Sequence, residues 1–372
     1  MRLPTFDLTD WRSILLALLA TRVGLLATGL VAAGVMPRGE SYVDLVAGLP
    51  WLSMWVQWDA EYYADIAVAG YSYDPNATST TAFFPLYPWV LRLGASLLGR
   101  VDTETVALLG LIVANLALFV ALLYLVALIR HDLGASVARR AVSYVLVFPT
   151  TVFLSAVYAE SLFLATAMGS LYHARRGEWY RAGMCGLLAA LARPFGIVLV
   201  IPLAIELLRQ RPPLRAALSL ALIPAGTASF FAYLWWQLGD PWLYVRANLT
   251  WGRGFAWPWE ILLEFAREPL VVFGWYHSVV DLSFVVAMTV LAVLAWRRLP
   301  ASYAAFASVG LLFTLSTRVW ISTPRHALAL FPLTILLAVY GERRWFHWAW
   351  LLLSTILAIG FAARFFSGHW TA

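Results

Sequence analysis

Residues 103–130, TETVALLGLIVANLALFVALLYLVALIR, are apolar except for a few polar positions, and their charged side chains are Glu104 and Arg130, near the two ends. About 20 predominantly apolar residues in a helix span the hydrocarbon core of a bilayer, so this stretch predicts a transmembrane helix. The whole chain agrees, because 62% of its 372 residues are hydrophobic, 12% are charged and the mean hydropathy is +0.77. We therefore expect a polytopic membrane protein.

Further apolar segments lie on both sides of this stretch. They fall near residues 12–36, 136–152, 157–174, 181–208, 215–238, 270–296, 301–318, 326–341 and 345–366. The 181–208 segment contains Arg193-Pro194, and proline disfavours helix in the residue before it. We expect two short helices that meet at Arg193. The sequence thus predicts an all-α protein of about eleven transmembrane helices that forms one domain over residues 1–372.

Arginine clusters orient the predicted spans, because positively charged loops stay in the cytoplasm. The clusters occur at residues 130–140, 175–181, 209–215, 297–298 and 343–344. The loops 37–102 and 239–269 then lie outside, with the N-terminus inside and the C-terminus outside. The first span is expected to be retained, because the segment before it carries Asp7 and Asp10 and lacks a cleavable signal pattern. We attribute the net charge of +6 to loop arginines, and no nucleic-acid partner is expected.

The loop 37–102 is predicted to hold two helices on the membrane surface, over roughly residues 60–70 and 86–98. The segment 83–99 is short for a span and contains Pro85, Pro88 and Arg92. If it crossed the membrane, every later loop would change sides and the arginine clusters would lie outside. An interfacial amphipathic helix fits these features better.

Two motifs in this loop place carboxylates and aromatic residues beside the membrane: WDAEYYADIAVAGY at 58–71 and AFFPLYPWVLRL at 82–93. A carboxylate in hydrocarbon costs several kcal/mol, so one at the boundary faces water, a partner or a substrate. Later come YAESLFL at 158–164, LARPFGIV at 191–198 and PRHALALFP at 324–332. Each of these three carries a charged residue inside an apolar run.

Together these motifs resemble the PIG-V type mannosyltransferases, the family of the second GPI mannosyltransferase and its bacterial relatives. The resemblance extends from about residue 55 to residue 335. One departure is Tyr62, which stands where eukaryotic members tend to have a histidine. The resemblance implies a GT-C type fold in a bacterial plasma membrane. It also implies a polyprenyl-phosphate mannose donor, a lipid or glycan acceptor and inverting transfer on the extracytoplasmic face.

Inverting transfer from a lipid phosphate needs a carboxylate that takes the proton of the acceptor hydroxyl. Asp59 is the best candidate for this base, and the alternative is that it caps the following helix. Glu61 lies about 200° from Asp59 on an ideal helix, so the two cannot aim at one point. We therefore expect Asp59 in the loop before the helix begins. Glu61 is a second candidate catalytic residue that contacts the acceptor or a metal, unless it only faces solvent.

The departing phosphate needs positive charge, and Arg193, Arg325 and His326 are the candidates. The planar fork of arginine suits phosphate oxygens, whereas the alternative is an arginine that merely reaches the membrane interface. Glu160 is predicted to pair with one of these arginines or to touch the acceptor. Arg22, inside the first span, is expected to find an acidic or carbonyl partner in the bundle interior.

Substrate contacts are assigned to aromatic and acidic residues of these motifs and of the loop RANLTWGRGFAWPWE at 246–260. The candidates are Trp58, Tyr63, Tyr71, Phe84, Glu160 and Trp251. Trp251, Trp257 and Trp259 could stack on sugar rings or belong to the aromatic belt at the membrane surface. No cofactor is assigned from the sequence, and a divalent metal is left open as an alternative. Glycine motifs for nucleotides and zinc-spaced histidine pairs are absent from the sequence.

Two other functions remain open at this point. A transporter or flippase of lipid-linked sugars would also have many spans and buried charges, but such proteins tend to hold polar sites on broken helices in corresponding halves. A scaffold of a glycolipid pathway would leave Asp59 replaceable. The identity of the acceptor does not follow from the sequence.

Overall fold

The computed structural model describes residues 11–371, and the regular secondary structure in that range is almost entirely helical. Asp7 and Asp10, on which the expectation of a retained first span rests, lie outside the described residues. The first helices are α1 Trp11–Val35, α2 Pro50–Ser53, α3 Asp59–Ala69, α4 Leu86–Leu97, α5 Thr103–Asp132, α6 Ala135–Leu146, α7 Glu160–Arg175, α8 Trp179–Ala192 and α9 Val200–Gln210. They are followed by α10 Leu214–Leu218, α11 Leu222–Leu238, α12 Leu243–Thr250, α13 Pro258–Arg267, α14 Val279–Arg298, α15 Ala301–Leu315, α16 Thr323–Ala329, α17 Phe331–Tyr340 and α18 Arg344–Phe366. Within residues 11–371, extended pairing is limited to the isolated bridges Phe255–Thr317 and Val271–Ser278.

Five helices are long and apolar enough to cross a membrane. They are Trp11–Val35, Thr103–Asp132, Leu214–Leu238, Val279–Arg298 and Arg344–Phe366. A sixth span results if α16 and α17, which bend by 81° relative to each other, cross as one unit. The all-α membrane architecture is thus confirmed. The number of about eleven spans stays a prediction, because the remaining apolar segments form shorter helices.

Three predicted segments have different boundaries in the structure. The segment 136–152 is helical only to Leu146, because Pro149 disfavours helix in the residue before it. The segment 270–296 becomes helical at Val279, where the Ser278 hydroxyl accepts a hydrogen bond from the Asp281 N–H and caps the helix. The segment 326–341 is split into α16 and α17, and Pro332 lies at the start of the second helix.

The predicted break at Arg193 is confirmed. Helix α8 ends at Ala192, Arg193 is extended with φ −153° and ψ 150°, and a 3₁₀ helix over Pro194–Leu199 leads into α9. The two helices predicted in the first loop are also present, as α3 and α4. Their position at the membrane surface stays a prediction.

Helix α7 is the centre of the molecule, because nearly all of its side chains are buried and it packs against both α5 and α8. Its first turn contains Glu160 and its last turn contains Arg175, roughly 22 Å apart at helical rise. Each of these residues belongs to a group of buried charges. The group around Glu160 forms the candidate site.

Arg22 has the carbonyl partners that the sequence predicted. Its guanidinium donates to the carbonyl oxygens of Leu146 at 3.1 Å and Thr151 at 3.3 Å, and to the Ser155 hydroxyl at 2.9 Å. These contacts join α1 to the segment after α6. Arg22 therefore supplies hydrogen-bond donors to backbone carbonyl groups where the helix α6 ends, which is a structural role.

Candidate active site

Asp59 is the first residue of α3, so the expectation that it precedes the helix is wrong by one position. Trp58 occupies the N-cap position with φ 61°, a region that side chains other than glycine rarely adopt. The Asp59 carboxylate does not cap the helix, because its Oδ2 accepts a hydrogen bond from Arg325 Nη1 at 2.6 Å. Strained backbone of this kind is found disproportionately at functional sites. The strain at Trp58 thus lies directly before the predicted base.

Arg325 joins two carboxylates from distant parts of the chain. Its Nη1 contacts Asp59, and its Nε lies 2.6 Å from Glu160 Oε1. Arg193 Nη1 donates to the same Glu160 oxygen at 2.8 Å. Glu160 and its two arginine partners are buried, with exposed fractions of 2% for Glu160, 6% for Arg325 and 9% for Arg193. The predicted pairing of Glu160 with an arginine is therefore confirmed, and it involves both arginines.

A cavity of about 230 Å³ opens beside this group of charges. Asp59, Arg193, Arg325 and His326 all line it, although they come from α3, the α8 break and α16. The predicted substrate residues Tyr63 and Phe84 also line it. The remaining lining residues are Ala82, Phe83, Ala192, Pro194, Phe195, Tyr244, Val245, Asn248, Arg253, Phe313, Thr314, Thr317, Val319, Ile321 and Ala329. The structure thus assembles the predicted base and the predicted phosphate ligands around one space.

Several predicted site residues lie outside the lining of this cavity. Glu160 is behind the two arginines, and the Tyr71 hydroxyl donates to the Phe83 carbonyl at 2.9 Å. Trp58 packs edge to face against Trp370, with ring centres 5.0 Å apart. Trp251 stacks on Trp275, with ring centres 5.7 Å apart. These residues support the walls around the site, and their contact with substrate stays a prediction.

Glu61 lies on the same helix as Asp59 but does not line the cavity, as its helical direction predicts. Burial raises the pKa of the Glu61 carboxyl to about 7, and the nearby Asp65 and Asp59 add to the effect.

Trp257 and Trp259 stack on each other with ring centres 4.8 Å apart. Both are exposed, and neither lines the cavity. Among residues 11–371, no group of three or more His, Cys, Asp or Glu side chains could hold a metal ion.

Arg253 is a lining residue that the sequence reasoning did not select. It follows Gly252, whose φ of +70° suits glycine. The loop is fixed to the segment before α16 by the Phe255–Thr317 bridge and by the Arg318 N–H, which donates to the Gly254 carbonyl at 2.8 Å. Burial lowers the pKa of Arg253, and nearby Asp59 partly offsets this. The available signal was a single arginine between glycines and tryptophans in an external loop.

Residues 15–211 match the family model described as mannosyltransferase (PIG-V). The chain belongs to this family. It is 35% identical over 165 residues to GPI alpha-1,6-mannosyltransferase 2 of Mus musculus, an alignment that covers 42% of this chain and 31% of the mouse protein. Against GPI alpha-1,6-mannosyltransferase 2 of Homo sapiens, identity is 32% over 172 residues, covering 43% of this chain and 33% of the human protein. The alignments thus span about a third of these relatives.

Solved structures with a similar chain trace include the oligosaccharyltransferase of Archaeoglobus fulgidus in complex with Zn and sulfate. The match has 12% identity and a TM-score of 0.45, and it covers 94% of this chain and 53% of that one. Another is the oligosaccharyltransferase AglB of the same organism in complex with an inhibitory peptide and a dolichol-phosphate, with 12% identity and a TM-score of 0.44. That match covers 94% of this chain and 56% of the AglB chain. The predicted family is confirmed by the family model and the curated relatives.

Proposed function

We propose that this chain is a GT-C type membrane mannosyltransferase that uses a polyprenyl-phosphate mannose donor. The acceptor is a hydroxyl group of a lipid or glycan, and transfer takes place on the extracytoplasmic face with inversion. The observation that carries this proposal is one cavity in which Asp59 faces Arg193, Arg253 and Arg325. Family membership supports the transfer of mannose, and the apolar spans support a membrane-embedded donor.

The reaction follows from the chemistry of these side chains. The acceptor oxygen attacks the anomeric carbon of the donor sugar, and an Asp59 oxygen accepts the proton of the acceptor hydroxyl. The bond between the anomeric carbon and the phosphate oxygen breaks, and its electron pair leaves with the phosphate. Guanidinium groups stabilise the charge that develops on that oxygen. Attack opposite the leaving group inverts the anomeric centre, so a β-linked donor gives an α-linked product.

Arg325 orients the Asp59 carboxylate for this proton transfer. Because Arg325 contacts both Asp59 and Glu160, it fixes the direction of the Asp59 carboxylate relative to α7. The cavity of about 230 Å³ is smaller than the roughly 300–1,000 Å³ of typical small-molecule sites. A space of this size fits the sugar and phosphate of the donor better than it fits the whole lipid.

The decisive experiment incubates purified protein with a membrane-lipid extract and one of three donors. The donors are polyprenyl-phosphate mannose, polyprenyl-phosphate glucose and a nucleotide-linked mannose, and products are identified by mass spectrometry. We expect a mannosylated product from the first donor alone. Mannose transfer from the nucleotide-linked donor alone would contradict the proposal. Movement of lipid-linked sugar across vesicles without any transfer would instead support a flippase.

A further inference from the structure

The charges around the cavity do not balance. Arg193, Arg253 and Arg325 supply three positive charges, whereas Asp59 and Glu160 supply two negative charges. The two carboxylates are already engaged by Arg193 and Arg325, at distances of 2.6–2.8 Å. One positive charge is therefore left over. A surplus cation at a half-buried position is costly unless an anion joins it.

The surplus charge belongs to Arg253. Its side chain makes no hydrogen bond or ion pair with any residue between 11 and 371, and Arg253 lines the cavity, where its charge interacts with that of Asp59. Its backbone, in contrast, is held in place. The Arg253 N–H donates to the Asn248 carbonyl at 2.9 Å, and the flanking loop is paired with residues 316–318. An arginine on a fixed backbone with an unused planar fork is arranged to receive a ligand.

We propose that Arg253 is the main ligand of the donor phosphate, and that Arg193 and Arg325 chiefly position the two carboxylates. This inference rests on the proposed function. A polyprenyl-phosphate sugar is a phosphodiester with one negative charge, which matches the one positive charge that remains. Two parallel N–H groups of a guanidinium can bind two phosphate oxygens. After transfer the product is a phosphate monoester, which can carry a second negative charge that the same guanidinium stabilises.

The assignment differs from the one that the sequence suggested. Arg325 donates one of its five N–H groups to Asp59, and its Nε lies 2.6 Å from a Glu160 oxygen to which Arg193 also donates. Loss of Arg325 should therefore misdirect Asp59 and reduce turnover, whereas loss of Arg253 should weaken donor binding. These two effects can be separated by kcat and donor KM.

The test measures equilibrium binding of polyprenyl-phosphate mannose to the purified full chain by isothermal titration calorimetry in detergent. The variants are Arg253→Ala and Arg253→Lys, and melting temperature is recorded for each. Arg246→Ala is the matched control, because Arg246 lies on α12, the helix that precedes Arg253 in the chain, but is exposed and pairs with Asp240 at 3.2 Å. We expect binding to weaken about tenfold to a hundredfold in Arg253→Ala and less in Arg253→Lys. Arg246→Ala should bind as the wild type does.

The other arms use polyprenyl phosphate, phosphatidylglycerol and inorganic phosphate as competitors. Polyprenyl phosphate should compete in the wild type and lose this ability in Arg253→Ala. If phosphatidylglycerol competes equally well through Arg253, the residue binds bulk lipid headgroups and the inference is overturned. Equal competition by inorganic phosphate overturns it as well, because the lipid-linked donor would then not be what the site selects.

The remaining outcomes distinguish this inference from the proposed function. If Arg253→Lys and Arg253→Ala both fold and bind the donor as tightly as the wild type, Arg253 is rejected as the phosphate ligand. The proposed function would then remain intact. Absence of donor binding in the wild type would reject both. If Arg253→Ala does not fold, Arg253→Lys still decides the question through its donor KM, since it keeps the charge and loses the fork.

Discussion

Helix α7 joins two groups of buried charges that look alike in sequence but differ in their surroundings. At its first turn is the cavity cluster, which we define as Asp59, Glu160, Arg193, Arg253 and Arg325. At its last turn is the Asp132 cluster, in which Arg175 pairs with both Asp132 and Glu206, and Arg209 also pairs with Glu206. The Tyr303 hydroxyl donates to Asp132 at 2.9 Å.

The two clusters differ in charge balance and in access. The Asp132 cluster contains two carboxylates, the largely buried Arg175 and the exposed Arg209, and none of its members lines the 230 Å³ cavity. The cavity cluster has one arginine in excess and opens onto that cavity. Buried ion pairs alone are weak evidence for function, because they also occur as structural contacts. Surplus charge beside an open space is the feature that separates a site from a structural link.

The largest expected difference between the clusters is in the carboxylates. Asp59→Asn keeps the size of the side chain but removes the proton acceptor, so turnover should fall by about two to four orders of magnitude. Asp132→Asn should leave turnover close to wild type and lower the melting temperature, because it weakens a buried pair. Turnover and thermal unfolding of both variants check this. An active Asp59→Asn protein would remove Asp59 from the chemistry.

The clusters should also lie on opposite sides of the membrane, because they occupy opposite ends of α7. Single cysteines at Leu249, which is 59% exposed, and Tyr180, which is 71% exposed, report on the two sides in a Cys185→Ser background. A membrane-impermeant thiol reagent added to intact cells should modify Leu249→Cys strongly and Tyr180→Cys only after permeabilisation. The reverse pattern would invert the orientation and remove the argument for an extracytoplasmic lipid-linked donor.

Most of the cavity cluster could be predicted from sequence. Glu160, Arg193 and Arg325 each interrupt an apolar run, and the pairing of Glu160 with an arginine was expected. Asp59 belongs to a motif of carboxylates and aromatic residues beside the membrane. Arg253 did not stand out, because an arginine in an aqueous loop is ordinary. Its position depends on the bridge between Phe255 and Thr317, and local sequence does not encode contacts between distant segments.

In the fold, too, some features could be predicted from sequence and others could not. Apolar length predicted where helices occur, and Arg193-Pro194 predicted the break between α8 and the residues that follow. The 81° bend between α16 and α17 was not predicted, although it brings Arg325 toward Asp59. Hydrophobicity continues through that bend without a change. Tertiary contacts, such as the Thr150 hydroxyl donating to the Pro324 carbonyl at 2.9 Å, hold α16 in its direction.

A third comparison tests the two bridging arginines. Arg325→Lys keeps the charge but cannot contact Asp59 and Glu160 in the same planar arrangement, so kcat should fall about tenfold with a smaller change in donor KM. Arg175→Lys makes the equivalent change in the Asp132 cluster and should affect only the melting temperature. Steady-state kinetics at saturating acceptor separate the two results. A large rise in donor KM for Arg325→Lys would return Arg325 to the role of phosphate ligand.

The smallest expected effect concerns Glu61, which shares α3 with Asp59 but does not line the cavity. Its folded pKa of about 7 exceeds the ordinary value of 4.5, so the folded chain binds more protons than the unfolded chain between these pH values. The stability contributed by Glu61 is therefore fully present below its ordinary pKa and is lost as pH rises through 7. Glu61→Gln resembles the protonated form, so its melting temperature should fall less than that of the wild type between pH 5.5 and 8.5.

Solvent screens the partly buried Glu61, so we expect a difference of only a few degrees in that pH range. Glu268→Gln is the control, because Glu268 is exposed and its replacement should leave the pH dependence of melting unchanged. Turnover of Glu61→Gln should drop only a few-fold, since the side chain points away from the reacting centre. A loss as large as that of Asp59→Asn would show that both carboxylates act at one centre. The helix geometry that separates them would then have to change when substrate binds.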